Sequence, residues 1–485
     1  MNILFIYSLY DADSPEKPMY TPEYIQFGIS YISALLKKHG HQTKLLVLSR
    51  LFGNKNTEII DAVIHEFQPK LICFTAVSTE YNFISSLAKY IKGRYGNIYL
   101  LVGGPHASLN PHDVINDDFD AVCVGEGEYP TLELVLQLKK GKILTKIPNL
   151  WIKHSTEVEM NATRPFIQDL DNLPFPDREM WKEWIDEQPG SRYAVLLGRG
   201  CPFQCTYCCN HALKKLAKGP YVRYRSPENI IKEIEDIAIA SPKTRELYLE
   251  IETIGANKKW AMDLCAQLKN LNATFEQPFT FGVNIRIMPN VDYDELFATL
   301  KESNFKSINI GLESGSERIR REILKRNYSN RDIISAVNLA RKYGLKVSFY
   351  NMLGFPTETL ADFMETIKIN RTCMPDYHNT SIFFPYPGTS LYALCKEHGL
   401  LKKPLDVDME RNRAVLDLKS FTKKQVQKKY VWFDYYIYKG RKPMYKILMR
   451  IFVLKLRSIS LVGHFYNRLK RSFMYKWMRN KLRDK

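Results

Sequence analysis

Cys201, Cys205 and Cys208 stand in the run Gly200-Cys201-Pro202-Phe203-Gln204-Cys205-Thr206-Tyr207-Cys208, with three residues and then two between successive thiols. The run follows the apolar segment 193–197, so it reads as a tight loop leaving the end of a strand. Cysteine thiolates hold iron-sulfur clusters, and this spacing suits a cuboidal cluster with one iron left open. The competing use is a structural zinc site that recruits Cys209. Zinc usually draws its ligands from two separated pairs, and no second pair follows. Cys209 then reads as a packed neighbour of the cluster.

Such a loop needs rigid elements beneath it. Apolar runs at 193–197, 247–251, 279–283, 307–311, 346–350 and 380–384 alternate with helical patterns such as 227–239 and 330–343. About six strand-helix units predict an open, partial TIM-type (β/α)6 barrel with its chemistry at the carboxyl ends of the strands. Those ends carry Glu250, Glu252 and Asn257, then Asn284 and Arg286, then Gly311-Leu312-Glu313-Ser314-Gly315, and then the turn within 351–359. Acids there offer charge-assisted hydrogen bonds to a ligand. They equally suit a capped helix start. Tyr386, in a proline turn after the last strand, faces a substrate or packs under that turn.

The first part of the chain repeats the alternation. Runs at 3–7, 44–48, 71–77, 98–102 and 121–124 predict strands, and 24–38, 57–67, 81–95 and 130–139 predict helices. This is an α/β unit of flavodoxin or Rossmann type, in which ligands bind beyond the carboxyl edge of the sheet. That edge carries Ser78, then Gly103, Gly104 and His106, then Gly125 and Glu126. Glycine allows close backbone approach to a ligand, although at strand ends it also serves turns.

The cysteine spacing, with Tyr207 before the last thiol, resembles the radical S-adenosylmethionine (SAM) superfamily. Joined to Ser78, to Gly103-Gly104 and to Gly28-Ile29-Ser30-Tyr31, it resembles the class whose barrel follows a cobalamin-binding domain. The resemblance implies a 4Fe-4S cluster on Cys201, Cys205 and Cys208, with SAM on the open iron and Tyr207 near its adenine. It places Glu250, Glu252, Asn257, Glu313 and Ser314 around SAM, and Ser78, Gly103, Gly104, His106, Gly125 and Glu126 around cobalamin. Two departures stand out. The Asp-x-His-x-x-Gly motif is absent after the first strand, which leaves His106 as a cobalt ligand or as a partner of the loop or corrin edge. Thr357 occupies the place of a family glycine in a Gly-Phe-Pro-Gly-Glu-Thr turn.

The implied activity is reductive cleavage of SAM, hydrogen abstraction from an unactivated carbon and methyl delivery by cobalamin. The implied substrate is a small molecule or lipid-like, and the electron donor is of flavodoxin or ferredoxin type. Alternatives are cobalamin-dependent rearrangement, cyclisation or oxidation, methylthiotransferase chemistry on RNA, and a cobalamin or redox sensor. Methylthiotransferases need three further cluster cysteines, and only Cys73 and Cys123 precede the loop.

Composition bounds the rest. A chain of 485 residues with 45% hydrophobic residues is globular and multidomain, and nine cysteines, three of them in one loop and the rest scattered, favour a reducing, cytoplasmic setting. The apolar N-terminus reads as a first strand rather than a signal peptide, and no apolar stretch approaches the roughly 20 residues of a membrane span. The expected organisation is 1–145 cobalamin-binding, 146–190 a strand pair and linker, 191–400 barrel and 401–485 a basic, aromatic-rich helical region. The formal charge of +18 concentrates toward the C-terminus. A basic amphipathic segment there suits the inner face of an anionic membrane or a solvated helical cap, and without a recognisable RNA module nucleic acid is not expected.

Overall fold

The computed structural model describes residues 1–485 except 10, 11, 13–15, 20, 187–190, 402–404, 406, 408, 409 and 458–485, and excludes the side chains of 456 and 457. The end of the basic tail, from His464, lies outside the described residues.

β1 (Asn2–Ser8) is buried along nearly its whole length, as a strand covered on both faces must be. β2 (Gln42–Leu48), β3 (Leu71–Thr75), β4 (Tyr99–Gly103) and β5 (Ala121–Cys123) join it in the parallel order β2-β1-β3-β4-β5. That is the flavodoxin order. Helices Phe27–Lys38, Lys55–Phe67, Tyr81–Arg94 and Glu128–Lys139 cover the sheet.

The sheet continues past residue 145. β6 (Leu150–Lys153) pairs antiparallel with β5, and β7 (Val158–Met160) with β6. Farther along the stretch read as a linker, Trp181 Nε1 donates to Ser30 Oγ at 2.8 Å and Trp184 Nε1 to Leu45 O at 3.1 Å. Both indoles belong to the first core, so this connection is folded onto the first unit.

The second unit begins with β8 (Tyr193–Leu196) and a two-strand ribbon, β9 (Gly198–Arg199) against β10 (Arg223–Tyr224). β11 (Glu246–Glu250), β12 (Thr280–Ile285), β13 (Phe305–Glu313), β14 (Lys346–Leu353) and β15 (Tyr377–Ile382) follow. The sheet order is β8-β11-β12-β13-β14-β15, all parallel, with β8 and β15 left as edges. This is the expected open barrel. Ser329 and Thr359 start helices Asn330–Lys342 and Leu360–Cys373 with reciprocal capping boxes to Asp332 and Asp362.

Thr357 has φ of +64°, so the turn that precedes the second of these helices needs a left-handed residue. A β-branched side chain is disfavoured there. Thr357→Gly is therefore expected to raise stability by about 1 kcal/mol, read from a denaturant midpoint, against the usual sign for introducing glycine.

Helices Lys423–Val431 and Phe433–Tyr438 bury Val426, Tyr430, Phe433, Ile437 and Tyr438 together with Phe355 and Phe363. These aromatics cap the barrel. The last described helix, Met444–Arg457, behaves differently and is taken up below.

Candidate active site

The cysteine loop leaves β9 through Gly200, whose φ is +85° and whose added Cβ would lie 2.1 Å from Tyr221 O. Only glycine passes there. Thr206 Oγ1 donates to Ile323 O at 2.6 Å, and Leu391 N donates to Thr206 O at 2.9 Å, tying the loop to the segments after β13 and β15.

Arg286 Nη1 reaches Cys205 Sγ at 2.8 Å while its guanidinium stacks 3.7 Å from the Phe203 ring. Arg326 Nη1 stands 3.9 Å from the same sulfur, and Asn210 Nδ2 is 3.7 Å from Cys208 Sγ. A hydrogen bond from Cys209 lowers the Cys208 pKa, whereas burial pushes the Cys201 thiol up to about 11. Among the described residues no three His, Cys, Asp or Glu side chains converge on a single ion. A cuboidal cluster asks instead for one thiolate on each ligated iron. Three free thiols on one pinned loop, with cationic and amide donors at their sulfurs, fit that group.

Beside the loop, Glu313 closes β13 with φ of +59°, next to a register shift against β14. Arg326 Nη1 meets its carboxylate at 3.2 Å and donates to Tyr207 Oη at 2.9 Å, while Nη2 donates to Gly311 O at 2.8 Å. Tyr207, Glu313 and Arg326 thus form one buried knot under the cysteines. Glu250 ends β11, and burial, with Glu252 next in effect, pushes its carboxyl up to about 7. Glu252 accepts from Asn210 Nδ2 at 2.9 Å, so it adjoins the loop. Two of the expected SAM-side residues are engaged elsewhere. Asn257 caps helix Lys258–Ala273 by accepting from Trp260 N at 3.1 Å, and the wholly buried Ser314 accepts from Ser316 N at 3.2 Å.

A cavity of about 990 Å³ lies between the two units. Ser78 and His106 wall it from the first sheet, and Tyr207, Cys208, Cys209 and Glu313 from the second. Ser78 Oγ and His106 Nδ1 share a hydrogen bond at 3.0 Å, and burial lowers His106 to about 4, so its imidazole is neutral. Gly103, Gly104, Gly125 and Glu126 border a second cavity of about 320 Å³. Gly104 also has a local reason, since a Cβ there would stand 2.8 Å from Thr75 Oγ1. The large space, lined by Ser78, His106 and apolar groups and, on its C-terminal side, by amide and charged groups such as Asn412, Glu410 and Arg411, fits a corrin ring whose amide rim needs hydrogen-bond partners.

Glu126 has a further use. Its carboxylate accepts from Arg199 Nη1 at 3.1 Å, Arg223 Nη1 at 2.8 Å and Ile167 N at 2.7 Å, while Glu128 takes Arg199 Nη2 at 2.5 Å. These bonds clamp the first unit to the ribbon that leads into the cysteines. Glu126→Ala leaves Arg223 buried without this carboxylate and is expected to cost about 3 kcal/mol, measured as a lowered urea midpoint.

Sequence reasoning missed Arg326, Arg199 and Arg223, and it missed groups that line the large cavity from the C-terminal side. Tyr386 Oη donates to Glu410 and accepts from Arg411 Nε at 2.9 Å, so Tyr386 belongs to a polar cluster on the cavity wall. Asp434 lies 3.1 Å from His378 Nε2, without hydrogen-bond alignment, and 3.0 Å from Arg450 Nε. Tyr386 was in view as a candidate for the substrate side, but no motif flags Glu410, Arg411, His378, Asp434 or Arg450. Arg199, next to the Gly-Cys of the loop, was the one within reach of motif inspection.

Residues 195–369 match the radical SAM superfamily, and residues 20–135 match the B12 binding domain. Fold and site therefore define an iron-sulfur enzyme of radical SAM type with a corrinoid-binding module. The chain belongs to the cobalamin-dependent radical SAM family, and its cofactors are a 4Fe-4S cluster, SAM and cobalamin. It is 29% identical over 410 residues to an uncharacterized methyltransferase of Pyrococcus horikoshii, covering 83% of this chain and 85% of that protein. An anaerobic magnesium-protoporphyrin IX monomethyl ester cyclase of Cereibacter sphaeroides is 22% identical, over 81% of this chain and 63% of its own length. The solved structure of the cobalamin-dependent S-adenosylmethionine radical enzyme OxsB, with aqua-cobalamin and S-adenosylmethionine bound, has the same fold at a TM-score of 0.67. It is 16% identical, over 97% of this chain and 75% of that one.

Proposed function

We propose that this enzyme methylates an unactivated carbon of a small-molecule or lipid-like substrate. The observation that carries the proposal is the single cavity walled by Ser78 and His106 on one side and by Tyr207, Cys208 and Glu313 on the other. Bound there, the cofactors supply reductive cleavage of SAM at the cluster and methyl donation from cobalamin. Cys201, Cys205 and Cys208 hold the cluster, and Arg286 places positive charge against the Cys205 sulfur. Glu250 and Glu252 would take the cationic end of SAM by charge-assisted hydrogen bonds. Ser78 and the neutral His106 would hold the corrin side. A flavodoxin or ferredoxin-type protein supplies the electron.

Glu250 makes this reading pH-dependent. Its folded pKa of about 7 lies above the ordinary carboxyl value of 4.5, so the native state retains a proton that the unfolded chain loses. Without ligand, stability falls as pH rises between these values, and Glu250→Gln is expected to stabilise by about 1–3 kcal/mol above that window and not below it. SAM binding needs the carboxylate and is expected to weaken as pH falls through about 7, a dependence that Glu250→Gln flattens; calorimetric titration across pH reads it.

The decisive experiment is anaerobic reconstitution with iron, sulfide and hydroxocobalamin, then reduction with methyl-deuterated SAM. Deoxyadenosine together with a deuteromethylated product supports methylation. Deoxyadenosine with a rearranged or cyclised product and no label transfer supports the rival chemistry that the cyclase relative represents.

A further inference from the structure

Between Asp434 and Asp484 the chain contains fourteen lysines and arginines and no aspartate or glutamate. Within that stretch, helix Met444–Arg457 has apolar side chains of two different fates. Ile447 and Ile451 are buried in the C-terminal core, and Val453 and Leu454 wall the large cavity with Arg450. Met444, Tyr445, Leu448 and Phe452 are instead 42%, 65%, 46% and 60% exposed. At 3.6 residues per turn these four fall in a sector about 100° wide, with Arg450, Val453 and Leu454 on the opposite side.

Four large exposed apolar side chains on adjacent turns form a contiguous patch, and such patches mark interaction surfaces. The surround identifies the partner. Lys455 falls in the same sector three residues beyond Phe452, Arg441 and Lys442 stand just before the helix, and no acid stands in the segment. The complementary surface must therefore combine apolar depth with negative charge. An anionic lipid bilayer has both, and an amphipathic helix with aromatic and aliphatic residues beside lysines lies in its interface plane. Among the described residues no helix is long and apolar enough to cross a membrane, so the geometry is one of lying on the surface.

We propose that helix Met444–Arg457 docks this protein on an anionic lipid bilayer through Met444, Tyr445, Leu448 and Phe452, and that the cavity walled by its opposite side receives the substrate from that bilayer. The docking stands on the helix alone, and substrate delivery rests on the functional reading above.

The test is co-sedimentation of the full-length, reconstituted protein with phosphatidylcholine vesicles, with and without a third of phosphatidylglycerol. The anionic vesicles are expected to take up the protein at least about tenfold better, and Leu448→Glu with Phe452→Glu to lower that uptake about tenfold while cluster and corrin absorbance persist. Equal uptake by the double variant would assign the attraction to charge alone and overturn the helix-face assignment. Absence of uptake by either vesicle also overturns it, as does self-association of the parent chain that the double variant abolishes.

Delivery is tested with methyl-labelled SAM and vesicles of total membrane lipid from the source cell. Label in the organic extract supports it, and label confined to the water phase overturns it. Deoxyadenosine measured in the same samples separates the two readings: its loss with vesicle uptake intact defeats the radical chemistry and leaves the docking standing.

Discussion

Cys205→Ala lowers 5′-deoxyadenosine formation by at least about a thousandfold, equivalent to roughly 4 kcal/mol of barrier. Cys205 is the buried thiol of the loop, and Arg286 approaches its sulfur at 2.8 Å. Removing the thiolate takes one iron from the cluster and leaves guanidinium groups facing a gap without their anionic partner. The neighbouring Cys209 offers no rescue, because it is turned to Cys208 as a hydrogen-bond donor. Iron content should fall with activity, while corrinoid binding by the separate first sheet should persist. Cys209→Ala is the contrasting variant. It should keep its iron and stay within about twofold of the parent, since three thiolates suffice for a cluster with one open iron. Iron analysis and product chromatography on the two variants check both statements.

Arg326→Met destabilises the protein by about 3–5 kcal/mol, the range for breaking a buried ion pair. Arg326 and Glu313 are both nearly inaccessible, and their 3.2 Å contact is the only salt bridge that Glu313 makes among the described residues. Burial works against the guanidinium charge, but the surrounding groups, with the Glu313 carboxylate the anion in contact, outweigh it and raise the Arg326 pKa, so the charge is native to the site. Methionine retains the stem volume but leaves the carboxylate buried and the Tyr207 hydroxyl short of a donor. Arg326→Met combined with Glu313→Gln should recover at least half of the loss, because the second change removes the stranded charge. Urea titrations of the two single variants and the double variant give the coupling directly.

The parallel strands were legible because nearly all are short apolar runs closed by a turn; β15 (Tyr377–Ile382), polar along most of its length, showed only through its apolar end, and the observed bounds depart from the expected ones by only a few residues. The antiparallel hairpin β6–β7 was read as a strand pair, but its attachment to the first sheet was hidden, since pairing across a chain reversal leaves no periodic trace. The cysteine loop was legible for the opposite reason, as its chemistry depends on spacing within nine consecutive residues. Arg326 was illegible. It comes back to Glu313 after a π-helical turn at Ile319–Ile323, and its value lies in burial, which one sequence does not display. Thr357 is a middle case: the departure from glycine was visible, and only its φ of +64° explains what glycine would do there. The aromatic C-terminal region offered two uses, and the structure divides it, with Tyr430, Phe433 and Tyr438 capping the barrel while Tyr445 and Phe452 stay exposed.

The large cavity takes walls from Ser78 near the beginning of the chain, from Cys208 in its middle and from Leu454 near its end. During synthesis on a ribosome the first sheet can fold, and the cysteine loop can emerge, while this enclosure still lacks a side. The first unit can thus meet its corrinoid in an open half-site, and helices translated after the barrel, among them Met444–Arg457, shut the chamber over it. Enzyme assembled by translation with cobalamin present should accordingly retain the cofactor more firmly than finished chains loaded afterwards.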